Sequence, residues 1–339
     1  MRELVIVITD LYLRHARPGA AVAGAPGIEH AARFGARTSL GHGWREWLAH
    51  SLGRGDLAGV APAGVAAAAA GLAVSPGGSR WIATPVQLTP GVSGVYLDQG
   101  GILRLSDAEL AALALAFRDT FGDSGCTLTP LPSGEFLLEA PAAVVAVPTL
   151  EPARAAGLDV AEALPRGEAA RPLRRLLSEI EMWLYGLPLN EARARRGESS
   201  MTALWVWGAA GRPLAPNRES ADALPRLYGT DAYVCGLWRL EGSGWQPLPE
   251  TLDPVLAEGQ DGRTLMLLEA GRELGGAGRG TLAEALARLD AHFISPAVRA
   301  LESGGLATLT LIANDTLRAL RRGDVLRFWR RRVGLEGFA

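Results

Sequence analysis

Residues 188–208 read Pro-Leu-Asn-Glu-Ala-Arg-Ala-Arg-Arg-Gly-Glu-Ser-Ser-Met-Thr-Ala-Leu-Trp-Val-Trp-Gly, and the fold is read outward from this stretch. Asn190 and Arg193 stand three apart, and helical residues at that spacing share a face, so one ligand can touch both. The apolar run 203–207 follows as a strand and enters Gly208-Ala209-Ala210-Gly211-Arg212, a loop whose backbone can approach an anion closely. Arginine with asparagine suits a phosphate or carboxylate, because a planar fork supplies paired bonds and an amide adds direction. Arg212 and the earlier Arg54 extend the candidate ligand-binding set. A structural reading stands beside this one. In it Asn190 caps a helix over 191–196 that ends at Gly197, and Arg193, Arg195 and Arg196 are its solvated face.

Working outward, the run 4–9 is apolar and β-branched, as in a buried parallel strand. It ends at Asp10, and in open α/β sheets ligands sit at the carboxyl ends of strands. Helices are expected over 28–34 and 44–52, and a boundary near 75–80 where Pro and Gly crowd the chain. Strands follow at 81–88 and 92–97. Ser106 with Glu109 three residues later forms a capping box. A hairpin spans 127–139 around Ser133-Gly134. Leu173, Leu176, Leu177, Ile180, Trp183 and Leu184 make one apolar helical stripe. After residue 203 parallel-sheet character is expected to return, with strands at 203–207, 232–236, 264–268 and 307–312. A helix over 281–293 is ended or kinked by Pro296. These elements predict an α/β core from residues 1–79 and 203–339, with a mostly parallel sheet, and an inserted α+β lobe over 80–202.

Composition excludes several classes. A chain of 339 residues, 48 % hydrophobic and 21 % charged, is globular and large enough for two domains or one large one. Net charge is −2, which gives no general pull toward nucleic acid or an anionic membrane. Every basic residue other than histidine is arginine. Cys126 and Cys235 lack metal-ligand spacing and read as buried reduced thiols. The run 60–74, broken by Pro62, is too short for a membrane span, and no targeting segment stands out, so a cytoplasmic location is expected. The Arg-rich stretch 318–332, with Phe328 and Trp329 interleaved, reads first as a solvated terminal element and secondly as an interaction surface.

The run Asn190-x-x-Arg193-x-x-x-Gly197, followed by Ala203-Leu204-Trp205-Val206-Trp207-Gly208, resembles the archaeal-type cofactor-independent phosphoglycerate mutases of the alkaline phosphatase superfamily. Thr202 stands where the family carries a second Asn. Asp10, Gly53-Arg54-Gly55 and segments near 228–237 and 286–301 resemble family segments in the right order. The similarity is strongest to a shortened bacterial branch, some of whose members carry a phosphoglycerate mutase or RpfE-type regulatory protein label. The resemblance implies an alkaline-phosphatase-like α/β core with an inserted lobe. It also implies two divalent metals held by Asp and His, and a transiently phosphorylated serine.

That chemistry needs ligands, since two metals lower the nucleophile's pKa and stabilise charge on the transferring phosphoryl group. The chain has five histidines, and four fall in the first fifty residues. The positions resembling the family's ligand segments read Asn314-Asp315-Thr316 and Glu269-Ala270-Gly271-Arg272-Glu273, and both Asp-His pairs are gone. No cofactor is therefore expected, although Asp10, Asn314 and Asp315 could together hold a single Mg²⁺ or Mn²⁺ ion. Ser39, with His42 three residues on, is the weak candidate nucleophile, and Asp10 the other weak catalytic candidate. The expected function is a phosphoglycerate-mutase-like protein without two-metal catalysis, binding a phosphorylated or anionic small molecule or a protein partner in a regulatory role. The alternatives are a metal-dependent phosphomutase or phosphatase with an altered site, and an interaction module using the basic tail. Nucleic acid is not an expected partner.

Overall fold

The computed structural model of the protein describes residues 2–12, 25–72, 78–92, 94–210, 224–259, 261–273, 281–324 and 338. Its strands are β1 (Arg2–Ile8), β2 (Ala36–Ser39), β3 (Ser79–Pro90), β4 (Val95–Ile102), β5 (Thr127–Pro130), β6 (Phe136–Ala140), β7 (Ala203–Ala210), β8 (Arg226–Tyr228), β9 (Gly262–Leu268), β10 (Thr308–Ala313) and β11 (Thr316–Arg321). They form two sheets.

The first sheet has the order β2-β11-β10-β1-β9-β8. Its β10, β1, β9 and β8 are parallel neighbours, and β11 and β2 turn back antiparallel at one edge. β1 carries the logic of the core. Leu4, Ile6 and Ile8 point into a cluster with Ile28, Phe293 and Val298. Val5 and Val7 point the other way, into a cluster with Trp44, Leu48, Tyr233 and Trp238. Helices cover both faces, so the strand is apolar at every position from Leu4 to Ile8 rather than at alternate ones. Ile6 has no exposed surface, and truncating it to alanine is expected to cost about 3 kcal/mol through lost burial and the cavity left behind.

The N-terminus of the helix Pro26–Phe34 has no cap of its own. Asp290, which is buried, supplies one from across the core, accepting the N–H groups of Gly27 (3.2 Å) and Ile28 (2.7 Å) and the hydroxyl of Ser295 (2.6 Å). A Cβ on Gly27 would lie 2.7 Å from the Ser295 nitrogen, so the close approach requires glycine. Asp290 opens a π-helical turn, Asp290–Ile294, between the helices Leu282–Leu289 and Ser295–Ser303. Pro296 therefore does not end the helical run: it sits in a first turn, where its missing N–H is harmless.

The second sheet belongs to the lobe. β3 is its long spine, with β7 along one edge and β6 then β4 sharing the other. β5 pairs outside β6, closing the expected hairpin. The expected capping box at Ser106 and Glu109 is present on the helix Asp107–Phe121. This helix and Arg171–Tyr185 pack their apolar stripes against the sheet.

Two expected strands are corrected. The strand after the joint was expected in the parallel sheet, but β7 pairs antiparallel with β3. Its unbroken apolar run reports burial on two faces: Leu204 and Val206 pack under the lobe helices, while Ala203, Trp205 and Trp207 pack with Ile82, Leu137 and Ala232. The chain returns to the core sheet only at β8. Residues 232–236 were expected as a strand and form the helix Ala232–Leu240, whose cap is Asp231. An all-apolar run without periodicity is compatible with either state, and this helix is buried from Ala232 through Trp238. Cys126 and Cys235 are free and buried, and burial pushes the Cys235 thiol up to about 12. Among the described residues no helix is long and apolar enough to cross a membrane.

Candidate functional site

The parallel strands β1, β8 and β9 end side by side, and each is followed by a carboxylate. β1 leads to Thr9-Asp10, β8 to Thr230-Asp231 and β9 to Glu269. The lobe faces these ends with Thr84 of β3, Trp207 of β7, Ile102 and Arg104 at and after β4, and Ser133 and Glu135 from the β5–β6 turn. A loop supplies Glu151. Together they line a narrow cleft of about 70 Å³. Five of the lining side chains are carboxylates (Asp10, Glu135, Glu151, Asp231, Glu269) and two are guanidiniums (Arg45, Arg104).

Arg45 is the most constrained of these. Its Nε and Nη2 donate to Asp231, with Nη2–Oδ2 at 2.7 Å. Its Nη2 and Nη1 donate to Glu151 at 2.8 and 3.1 Å. The guanidinium carbon lies 4.4 Å from the Trp44 ring centre and 4.9 Å from that of Trp207, a cation–π arrangement that a compact ammonium would not reproduce. Asp231 in turn accepts the N–H groups of Tyr233 and Val234, each at 3.0 Å, so one carboxylate both caps a helix and holds the arginine. Burial opposes the charge on Arg45, but Asp231 and Glu151 more than offset it and raise its pKa.

Asp10 accepts the N–H groups of Ala270 and Gly271, both at 2.6 Å. Burial, aided by repulsion from Glu269, nevertheless raises its pKa to about 6. Glu269 is paired with Arg104, which also donates to the Ser133 carbonyl at 2.8 Å. Glu135 is held differently. Thr84 donates its hydroxyl at 2.5 Å and Ser133 at 3.0 Å, and Trp207 Nε1 donates to the Thr84 hydroxyl at 2.9 Å. Burial raises the Glu135 pKa, and nearby Asp231 adds to the shift.

The residues singled out in the sequence are placed as follows. Asp10 is in the cleft. Asn314 and Asp315, both at positive φ (49° and 53°), form the two-residue turn between β10 and β11, the backbone shape such a hairpin favours. Asn314 Nδ2 donates to the Phe338 carbonyl at 2.8 Å, and Asp315 pairs with Arg154 at 2.6 Å. The three therefore have separate partners. Among the described residues no group of three or more His, Cys, Asp or Glu side chains is placed to hold a metal ion. Ser39 ends the exposed edge strand β2, opposite Thr316, outside the cleft lining. His42 is exposed, and neither residue faces the Asp10 cluster.

The Asn190/Arg193 pair is engaged by the protein itself. Asn190 lies inside the helix Pro188–Arg195, not at its cap. Its Nδ2 donates to the Leu184 and Met201 carbonyls, and its Oδ1 accepts the Met201 N–H, all at 2.8 Å. Arg193 is 4 % exposed. It donates to the Ser199 carbonyl at 2.8 Å and to Glu109 at 2.9 Å. It is thus not on the solvated face that the structural reading assigned it, and neither residue lines the cleft. Arg54 is buried and forked onto Asp56 at 2.8 Å twice, with Glu241 beside it. Arg212 and most of the basic tail lie outside the described residues. Arg318 is buried, with its guanidinium 5.7 Å from the Phe338 ring centre.

Sequence reasoning missed Arg45, Arg104, Glu135, Glu151 and Asp231. The strand-end rule that selected Asp10 could have selected Asp231, had β8 been placed. Glu269 was quoted only as a lost-ligand position. Nothing local marks the lobe residues.

No family model matches the chain, and no curated protein matches it. Solved structures similar to it include the cofactor-independent phosphoglycerate mutase of Thermoplasma acidophilum DSM 1728, at 16 % identity over 95 % of this chain and 90 % of that one, with a TM-score of 0.39. The PH0037 protein of Pyrococcus horikoshii is similar at 14 % identity over 94 % and 87 %, with a TM-score of 0.44. Both likenesses concern the course of the chain, and at these values they carry no statement about chemistry.

Proposed function

We propose that this protein binds a small molecule in the cleft between its two sheets, in a regulatory role, on a phosphoglycerate-mutase-like frame without two-metal phosphoryl transfer. The observation that carries the reading is the closed polar network in the cleft. Arg45 is gripped by Asp231 and Glu151, Arg104 meets Glu269, and Asp10 is bonded to two backbone amides. Groups of the kind that hold metals and phosphates are engaged with one another.

The lining also bears on the ligand's charge. Five carboxylates face two guanidiniums, a balance that repels an anion and favours a cationic or uncharged polar molecule. The expectation of an anionic ligand rested on Asn190, Arg193 and Arg54, whose donors are taken up inside the protein, and on Arg212. Thermal-shift measurements with small primary amines, neutral polar compounds, inorganic phosphate and 3-phosphoglycerate test this. Stabilisation by an amine or neutral compound, reduced in Glu135→Gln, is expected. Stabilisation by the phosphates alone, abolished in Arg45→Met, would sink the reading.

A hydrolytic role is the second reading, favoured by the raised Asp10 and Glu135 in one cleft, since general acid–base groups work best near the operating pH. Turnover of a phosphoester or other ester by wild type but not by Asp10→Asn would establish it over the first.

A further inference from the structure

The cleft and the space behind it share a wall. Arg45, Glu151 and Trp207 line both the cleft and a second cavity, the chamber, which continues between Trp44, Tyr233 and Pro62. The two differ in size and in charge. The cleft holds about 70 Å³, room for a few water-sized groups, whereas the chamber holds about 310 Å³. Along the chamber lining Arg45 and Arg154 stand against Glu46 and Glu151, so its charges balance and leave an aromatic and aliphatic wall. A group that fills the chamber is therefore uncharged and apolar.

In the cleft the balance is acidic, and the excess lies on two side chains. Asp231 and Glu151 are paired with Arg45, and Glu269 with Arg104. Asp10 is held by backbone amides and Glu135 by hydroxyls, donors that carry no net charge. Arg104 reaches each of them by charge alone, without a hydrogen bond.

The shared wall has a fixed part and a movable part. Asp231 is anchored by the N–H groups of Tyr233 and Val234, and it keeps Arg45 in place. Glu151 has other donors within reach, the Tyr12 hydroxyl at 3.4 Å and Arg154 Nε at 3.5 Å. Arg154 meets Asp315 through Nη2, which leaves Nε to take the Glu151 carboxylate. A turn of the Glu151 side chain from Arg45 toward Arg154 joins the two cavities without stranding a buried charge.

From this we infer that the ligand is an amine bearing an apolar arm, with its ammonium in the cleft, Asp10 and Glu135 as counter-charges, and the arm past Glu151 in the chamber against the Trp207 ring. This rests on the cleft binding proposed above and names the ligand class. The cleft alone accommodates little more than the charged head, and the chamber alone offers an ammonium no surplus of negative charge.

Calorimetric titration of the full chain with methylamine, phenethylamine, phenylbutylamine and phenylbutanol tests it. One of the two phenylalkylamines is expected to bind about tenfold or more tightly than methylamine, the gain from burying a ring, and more tightly than phenylbutanol, which lacks the charge. Ala61→Phe and Thr149→Phe enlarge the chamber lining from two different segments. Each is expected to remove the advantage of the arm and to leave methylamine unchanged, whereas Glu135→Gln is expected to weaken both amines alike. Methylamine or phenylbutanol binding as tightly as the phenylalkylamines would overturn the inference and leave the cleft reading intact. So would an advantage of the arm that persists in both folded phenylalanine variants. If no amine binds, the inference falls, and the cleft reading falls with it only if neutral polar compounds also fail to bind.

Discussion

The joint at residues 188–208 and the cleft between the sheets are built from the same residue types, yet the chain uses them in opposite ways. At the joint, Arg193 is buried against Glu109 and Asn190 clamps a helix end to the strand that follows. Both side chains are turned inward. In the cleft, Arg45 pairs with Asp231 and Glu151 and Arg104 with Glu269, while Asp10 and Glu135 are held by amides and hydroxyls, and all of them line a cavity. The difference teaches that a polar motif's visibility in sequence says little about its availability to a ligand. Availability depends on partners brought from elsewhere, and Glu109 arrives from 84 positions away.

The sharpest way to break this comparison is Arg193→Ala. It removes two charge-assisted bonds, to Glu109 and to the Ser199 carbonyl, and is expected to cost about 3 kcal/mol, while Arg196 still meets Glu109 at 2.6 Å. Urea denaturation is expected to show that loss. An unchanged midpoint, with loss of binding to a phosphorylated compound, would return the joint to the ligand-site reading. Asn190→Ala removes three bonds at the same place and is expected to cost about 2 kcal/mol, because the Met201 N–H and two carbonyls lose their partner. Thermal unfolding checks it, and a neutral result would show that the clamp is not structural.

On the cleft side, Asp10→Asn sharpens the contrast through pH. The Asp10 pKa is raised in the folded state, to about 6 from an ordinary 3.8. Its contribution to stability is therefore fully present below pH 3.8 and is lost as pH rises through about 6. Wild type should lose about 1 kcal/mol relative to Asp10→Asn between pH 5 and pH 6. Parallel stability profiles would mean that Asp10 has no such shift. The smallest effect is expected at Ser39. It sits on an exposed edge strand, so Ser39→Ala should change stability by less than about 0.5 kcal/mol and leave ligand binding in the cleft untouched. A large effect on either would restore it as a functional residue.

Much of the frame was legible because local pattern and burial agree there. The apolar run of β1, the Ser106–Glu109 capping box and the stripe on Arg171–Tyr185 are each dictated by neighbours a few residues away. The errors came where one pattern has two causes. β7 and the helix Ala232–Leu240 are both all-apolar, and neither sheet membership nor helix can be told from two-sided burial alone. In the site, Asp10 was legible because a strand end is a local feature. Arg45, Glu135 and Glu151 were not, since each acquires its role from a partner on another element. Glu109 shows both cases in one side chain. Its bond to Ser106 follows from a spacing of three, whereas its bond to Arg193 does not follow from any spacing.

The proposal that the cleft works without two-metal phosphoryl transfer is tested most directly by counting ions. Calorimetric titration of the purified chain with Mn²⁺, in wild type and Asp10→Asn, gives the number bound. The account predicts no micromolar site in either protein. Two ions per wild-type chain, lost in Asp10→Asn, would contradict it.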